Sequence, residues 1–377
     1  MKSNFDVLGN HIVQVDYRNT DMVADRVLGI SIDKFFMPSV ANVIGTDLSR
    51  YKLISKGLFA CNPMHVGRDE RLPVSLYTED EPAIVSPAYF MFKIKDEAVL
   101  DREYLMMWFR RPEFDRICWL RTDGSVRGGI TWEDLCRIEL PVPSMEQQKE
   151  VVESYKAITK RIELKKQIND NLEASLSLLF NQSFCSLSFD IKEGYSLSQL
   201  MRFDNGYAFS SADYLPQGKY KIITIGNVAD GFLDTSSVNY INDVPSKVLQ
   251  NCLLNIGDIV ISLTGNVGRT ALIKEENLLL NQRVARIVPN KHCYLPFLYC
   301  LFRQEKTKNY LIGISKGTAQ ANLSPIELLK TIVDYDLCEI EEFSRRASAI
   351  IDAIIRCSKE ISHLLELADT YLSTLSR

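Results

Sequence analysis

Asp258, Lys274 and Glu275 are the nearest this sequence comes to the paired carboxylates and lysine of a metal-dependent phosphodiester-cleaving centre. Their order and spacing do not match that pattern, so hydrolysis is not expected from them. Phosphate-loop chemistry is excluded in the same way: residues 313–318 read GISKGT, which lacks the required order of glycine and Lys-Ser/Thr. A methyl-transferring centre would need a cofactor-binding glycine loop after a strand and an N-P-P or D-P-P sequence, and neither occurs. His292, Cys293 and Cys300 come closest to a metal cluster, but their spacing suits no common site. Isolated cysteines are usually small buried apolar residues. No metal and no cofactor are expected.

What remains is a set of hydrogen-bonding and cationic side chains on turns. Arg, Asn, Gln, Ser and Thr have the geometry to match base edges, and Lys and Arg neutralise phosphates. In the first half the candidates are Arg50, Lys52, His65, Arg68 and Arg71, along SRYKLISK and MHVGRDER, with Ser86 and Tyr89 nearby. In the second half they are Ser210, Ser211, Thr264, Asn266, Arg269, Asn281, Gln282 and Arg283. Lys316, Thr318 and Gln320 on a glycine turn complete the set. An ordinary turn or surface polar group fits each of these residues equally well. Ser210 and Ser211 fit a helix cap ahead of Ala212 and Asp213.

The elements that must position these residues are written twice. From Gly124 a glycine-rich turn leads into IELPVP, whose prolines stop what precedes them. Ser144 and Gln147 then form a capping-box pair. Val151, Tyr155, Ile158, Ile162, Ile168, Leu172, Leu176 and Leu179 follow at spacings near three and four, which predicts one helix over about 145–181. A helix that long needs a partner along its length. At a single offset of 193 residues, Gly124 falls on Gly317, Ile130 on Leu323, Ile162 on Ile355, Leu172 on Leu365 and Leu179 on Leu372. A second helix is therefore expected over about 338–375. The chain reads as a tandem duplication.

The repeat continues into the flanking regions, where Tyr104 matches Phe297 and Arg110 matches Arg303. Upstream it loosens. Val66-Gly67-Arg68 meets Val267-Gly268-Arg269 only at an offset of 201, and the first ~50 residues of each half share little. Residues 1–143 read as a strand-rich domain, with HIVQVDY, KLISKGLFACNP and AIVSPAYFMFKI as strands and DREYLMMWFRR as a helix. Residues 184–337 repeat the plan with YKIITIGNV, DIVISL, RVARIVP and YLPFLYCLFRQ. The expected class is α+β: two mixed strand-rich domains joined by two long antiparallel helices in a pseudo-twofold tandem repeat. The expected divisions are 1–143, 144–183, 184–337 and 338–377.

A chain of 377 residues with 46% hydrophobic content can build such cores. Nine cysteines with no CxxC pair and no charged-then-apolar leader point to a reduced, cytoplasmic setting, and no apolar run is long enough to cross a membrane. A net charge of −4 alone argues mildly against a nucleic-acid partner. Locally, Arg283 to Lys316 carries seven Lys/Arg against the single acid Glu305. Such a run fits either a solvated face or a polyanion-binding surface. Two function classes fit the whole: a reader of duplex DNA at two half-sites, and a protein-scaffolding adaptor with two binding heads on a helical rod.

Taken together the motifs resemble the specificity (S) subunit of type I restriction-modification systems, over nearly the whole chain. The carriers are the G-x-x-x-x-x-(I/L)-(S/T) turns at Gly124–Thr131 and Gly317–Ser324, the IELPVPSMEQQKEVV lead into the helix, and GYAFSSADY with IGDIVISLTGNVGRTAL. FFMPSVANVIGTDLSRYKLISKGLFACNPMHVGRDERLPVSLY with AIVSPAYFMF is similar to one recurrent type of target recognition domain. The resemblance implies a non-catalytic subunit with two target recognition domains, each reading half of a bipartite DNA site. It also implies two helices that set the spacer and dock two methyltransferase (M) subunits, with restriction (R) subunits joining through the complex. The second helix departs from the pattern by starting from IVDYDLCEIEE, which bears on one of the two docking sites.

Overall fold

The structure, a computed structural model, describes residues 5–40, 45–64, 66–122, 128–185, 188–189, 194–315 and 321–375. It is α+β and divides into two units, residues 1–161 with 364–377, and residues 162–363. The two long helices run over Met145–Ser183 and Leu337–Thr374, so each unit holds one strand-rich domain and one end of each helix.

The first unit has two four-stranded sheets. One is antiparallel throughout, in the order Ile12–Val15, Phe90–Ile94, Phe59–Cys61, Val74–Leu76. The other runs Phe36–Pro38, Val27–Ile30, Ala83–Val85, Lys52–Ile54, with its two central strands parallel. Phe5–Val7 pairs with Glu139–Pro141 as a separate ribbon. Two of the expected strands are each two strands in different sheets. In KLISKGLFACNP the break falls at Gly57, held at φ +89°, a conformation that suits glycine and few other residues.

The second unit repeats this topology strand for strand. Its antiparallel sheet runs Met201–Asn205, Val284–Pro289, Ile259–Ser262, Thr270–Leu272. Its mixed sheet runs Asn239–Ile241, Tyr220–Ile223, Leu278–Leu280, Leu253–Leu254, again with a parallel central pair. Tyr195–Ser196 and Ile332–Val333 form the matching ribbon. The duplication thus covers the regions where the sequences share little, because strand pairing requires the alternation of apolar positions rather than their identity.

Both domain helices are followed by a second one that the sequence reading did not include. Arg102–Phe109, capped by the Asp101 carboxylate, leads to Pro112–Leu120, which starts on a proline. Leu295–Arg303 leads to Glu305–Ile314.

The Ser144 cap is present as expected: the Gln147 amide N–H donates to Ser144 Oγ at 3.4 Å and the Ser144 N–H to Gln147 Oε1 at 3.3 Å. Antiparallel pairing of the long helices follows from their partners within each unit. In the first unit Val152, near the start of one helix, shares a core with Leu372 and Leu375 at the end of the other. In the second, Asn169 meets Ser358, and Phe180 packs edge-on to Phe343 with ring centroids 5.5 Å apart. The stripe differs from the expected one at two places. Ile168 is 43% exposed and Leu365 47% exposed, while Asn169 and Ala368 take the buried positions. An apolar run at mixed three and four spacing leaves its phase open by one residue, and here a polar residue occupies the seam.

Candidate nucleic-acid interface

In the second unit, segments far apart in sequence meet at one edge. The loop after Ile259–Ser262 lies against 321–323: the Leu323 N–H donates to the Leu263 carbonyl at 2.8 Å, and the Gly265 N–H to Ala321 at 3.1 Å. The turn before Val284 joins them, since the Leu263 N–H donates to the Arg283 carbonyl at 2.9 Å. The chain at Gly206–Tyr207 closes the group, with the Tyr207 N–H on the Leu280 carbonyl and the Gln282 N–H on the Tyr207 carbonyl, both 3.0 Å. A Cβ at position 206 would lie 2.0 Å from the Asn281 carbonyl oxygen, so only glycine permits this approach. Six of the expected residues, Thr264, Asn266, Arg269, Asn281, Gln282 and Arg283, are thereby brought together.

They are not equivalent. Thr264 is buried in a bridge to Asn322, and its Oγ1 has no partner among the described residues. Asn281 is also buried, and its Oδ1 accepts the Gln282 N–H at 2.8 Å. The Asn266 amide, turned to satisfy both groups, accepts from Arg269 Nη1 at 3.1 Å and Nη2 at 3.3 Å, so the two hold each other. Gln282 and Arg283 are exposed, and neither side chain has a hydrogen bond or ion pair to a described residue. Ser210 caps a short turn by accepting the Ala212 N–H at 3.3 Å, as the structural reading of that serine required, and Ser211 stands exposed beside it. Lys316, Thr318 and Gln320 lie outside the described residues.

Most of the basic run is paired with acids of the same unit. Arg286 bridges Asp204 at 2.5 Å and Asp258 at 3.2 Å, Lys291 meets Glu341 at 3.0 Å, Arg303 pairs with Glu173 and Lys308 with Asp230. Arg286, Arg303 and Lys308 are mostly covered in these pairs, whereas Lys291 is exposed. Glu173, on the central helix, also accepts the Tyr299 hydroxyl at 2.9 Å and Lys274 at 3.1 Å. Burial, reinforced by the Glu173 charge, pushes the Tyr299 phenol far up, so it remains a donor.

In the first unit the corresponding loop lies between Phe59–Cys61 and Val74–Leu76. It meets the equivalent partner, with the Ile130 N–H on the Pro63 carbonyl at 3.2 Å and the Gly67 N–H on Gly128 at 3.0 Å. Arg68 sits in a helical turn, Val66–Asp69, whereas Arg269 directly precedes a strand and follows Gly268 at φ +83°. The two Val-Gly-Arg runs therefore occupy corresponding loops but unlike backbone, because the first loop is longer. The side chain of Arg68 and the whole of His65 lie outside what is described.

The remaining candidates of this unit are engaged by their own chain. Arg50 is exposed, 3.3 Å from Asp47, and Arg71 is 2.9 Å from Asp33. Lys52 is buried: it donates to the Tyr89 carbonyl at 2.6 Å and faces Asp16 at 3.5 Å, which makes it an internal brace rather than a free surface cation. Ser86 Oγ accepts the Ala88 N–H at 3.3 Å in a turn. Tyr89 is half-buried, and burial pushes its phenol up against an opposing hydrogen bond from the Ile30 backbone. Sequence reasoning missed Gly206 and Tyr207, although GYAF carried the signal of an aromatic directly after a glycine.

A family profile described as the type I restriction modification DNA specificity domain matches residues 77–174 and 192–333. That is more than half of the chain, and the chain belongs to this family. No curated protein matches the sequence. Similar solved structures include the S subunit of a type I restriction-modification system from M. genitalium, 14% identical over 99% of this chain and 95% of that one, with a TM-score of 0.54. Another is the HsdS subunit from Thermoanaerobacter tengcongensis, 15% identical over 99% and 96%, with a TM-score of 0.39. The fold is that of an S subunit, and the family is one of DNA-recognition specificity subunits, generally non-catalytic. No helix of the described residues is long and apolar enough to cross a membrane.

Proposed function

We propose that this chain reads a bipartite duplex DNA target, one half-site with each strand-rich domain, and so directs partner methyltransferase and restriction subunits to it. The observation that carries the reading is the same three-sheet topology built twice, with unlike loops gathered at corresponding places. Repeated frames with divergent loops suit a ligand offering the same backbone twice and different bases each time. Two M subunits meet the helices and R subunits join through the complex, in the cytoplasm. Phosphate contacts come from a few local cations, since the net charge is −4.

Binding to duplexes across a salt series tests this. A reader loses affinity linearly in log–log terms, with a slope of about −0.9 per phosphate neutralised, and prefers one bipartite sequence. A chain with no salt slope and no duplex preference that instead captures a peptide or protein would be the adaptor.

A further inference from the structure

The turn at residues 281–284 is held from three sides and open on the fourth. Asn281 N–H donates to the Ile223 carbonyl at 3.1 Å, Gln282 N–H to Tyr207, and Val284 N–H back to Asn281 at 3.3 Å, while the Arg283 carbonyl accepts from Leu263. The three outside neighbours, Ile223, Tyr207 and Leu263, come from separate strands and loops, so the backbone of the turn has little freedom. Arg283 is fixed at φ +70°, a left-handed conformation that costs a long side chain with a Cβ and that glycine or asparagine would adopt more readily. Its guanidinium nevertheless has no partner among the described residues, and neither does the amide of Gln282 beside it. Strain of this kind persists where the surroundings over-determine it, and it marks sites of function. Tyr207, 46% exposed, stands next to the turn, braced edge-on against Phe209 with centroids 5.1 Å apart.

We infer that Gln282 and Arg283 form the base-reading tip of the second domain, with Arg283 donating two hydrogen bonds to O6 and N7 of a guanine and Gln282 pairing with N6 and N7 of a neighbouring adenine in the major groove. This rests on the DNA-reading function proposed above. A planar fork of donors matches the guanine edge, and a side-chain amide matches the adenine edge. Arg269 is the poorer reader, because Asn266 already takes its Nη1 and Nη2 donors. The rigid backbone matters because base discrimination needs the side chain to arrive at a fixed place, so that a wrong base leaves its donors unpaired.

The test uses the full chain assembled with its methyltransferase, reading the methylated motif across a genome together with duplex affinity over a salt series. Arg283→Gly relieves the left-handed strain and should leave the melting temperature unchanged or higher, so that loss of reading is not loss of fold. The inference expects Arg283→Gly to relax the motif at one guanine position and to lower cognate affinity by about 5- to 150-fold. Arg283→Lys should lose the same selectivity while keeping the charge. Gln282→Ala should relax one adjacent adenine.

If Arg283→Gly instead weakens all duplexes alike and makes the salt slope shallower by about one, with Arg283→Lys restoring it, the arginine holds a phosphate and the inference is overturned. An unchanged motif and affinity also overturn it, while leaving the DNA-reading function intact. A wild-type assembly with no duplex preference overturns both.

Discussion

Asn169 of the central helix donates its side-chain amide to the Ser358 hydroxyl of the C-terminal helix at 3.1 Å, across 189 positions of sequence. The Asn169 Oδ1 is buried with no partner among the described residues. Ser358 also donates to the Ile354 carbonyl at 2.8 Å, so it remains satisfied without Asn169. A buried amide oxygen left unpaired costs about 1–3 kcal/mol. Asn169→Leu should therefore stabilise the second unit by about 1 kcal/mol, read as a rise in its thermal midpoint. A lower midpoint would mean that the amide contributes more than its desolvation costs. Such polar positions also fix the register of paired helices, so the same variant should pair less uniquely in a crosslinking scan of the two helices.

Glu173 tests the attachment of the central helix to the second domain. It is met by Tyr299, Lys274 and Arg303, and its side chain is only 14% exposed. Glu173→Ala leaves the half-buried Arg303 without its carboxylate, a change that costs about 3–5 kcal/mol when one member of a buried pair is removed. Chemical denaturation followed in the second unit should show this loss. Glu173→Gln, which still accepts from the Tyr299 hydroxyl, should cost less. Equal effects of the two variants would show that charge alone holds the joint.

Gly206 provides a third check. A methyl group there would collide with the Asn281 carbonyl, and backbone cannot rotate away as a side chain can. Gly206→Ala should force the Tyr207 segment from the 281–284 turn, destabilise the unit by about 1–3 kcal/mol and weaken reading of one half-site. Gly313→Ala, at a position with nothing within 4 Å of the added Cβ, serves as the control and should do neither.

Much of this architecture was legible in the residues. The capping pair Ser144 and Gln147, the lengths of both long helices and their common offset follow from spacing alone, because helix periodicity and caps are local signals. The topological identity of the two domains was not legible. Phe59–Cys61 and Ile259–Ser262 occupy the same place in the corresponding sheets of the two units, yet share no motif that reveals it. The phase of the helix seam was also hidden, since nothing local says that Asn169 rather than Ile168 faces inward. At the interface, residue type suggested candidates but not their availability. Lys52, Arg269 and the cations at 286, 291, 303 and 308 look as free in sequence as Arg283, and only the fold shows which donors their neighbours have already taken.

Exchanging one domain decides whether each domain reads its own half-site. Residues 1–143 are replaced by the first domain of another S subunit, the chimera is expressed with its methyltransferase, and the methylated motif is read across the genome. The expected result is a bipartite motif in which one half changes while the other half and the spacer between them stay as they were, because the long helices are untouched. A motif that changes in both halves, or a wild-type chain that yields no bipartite motif, would contradict it.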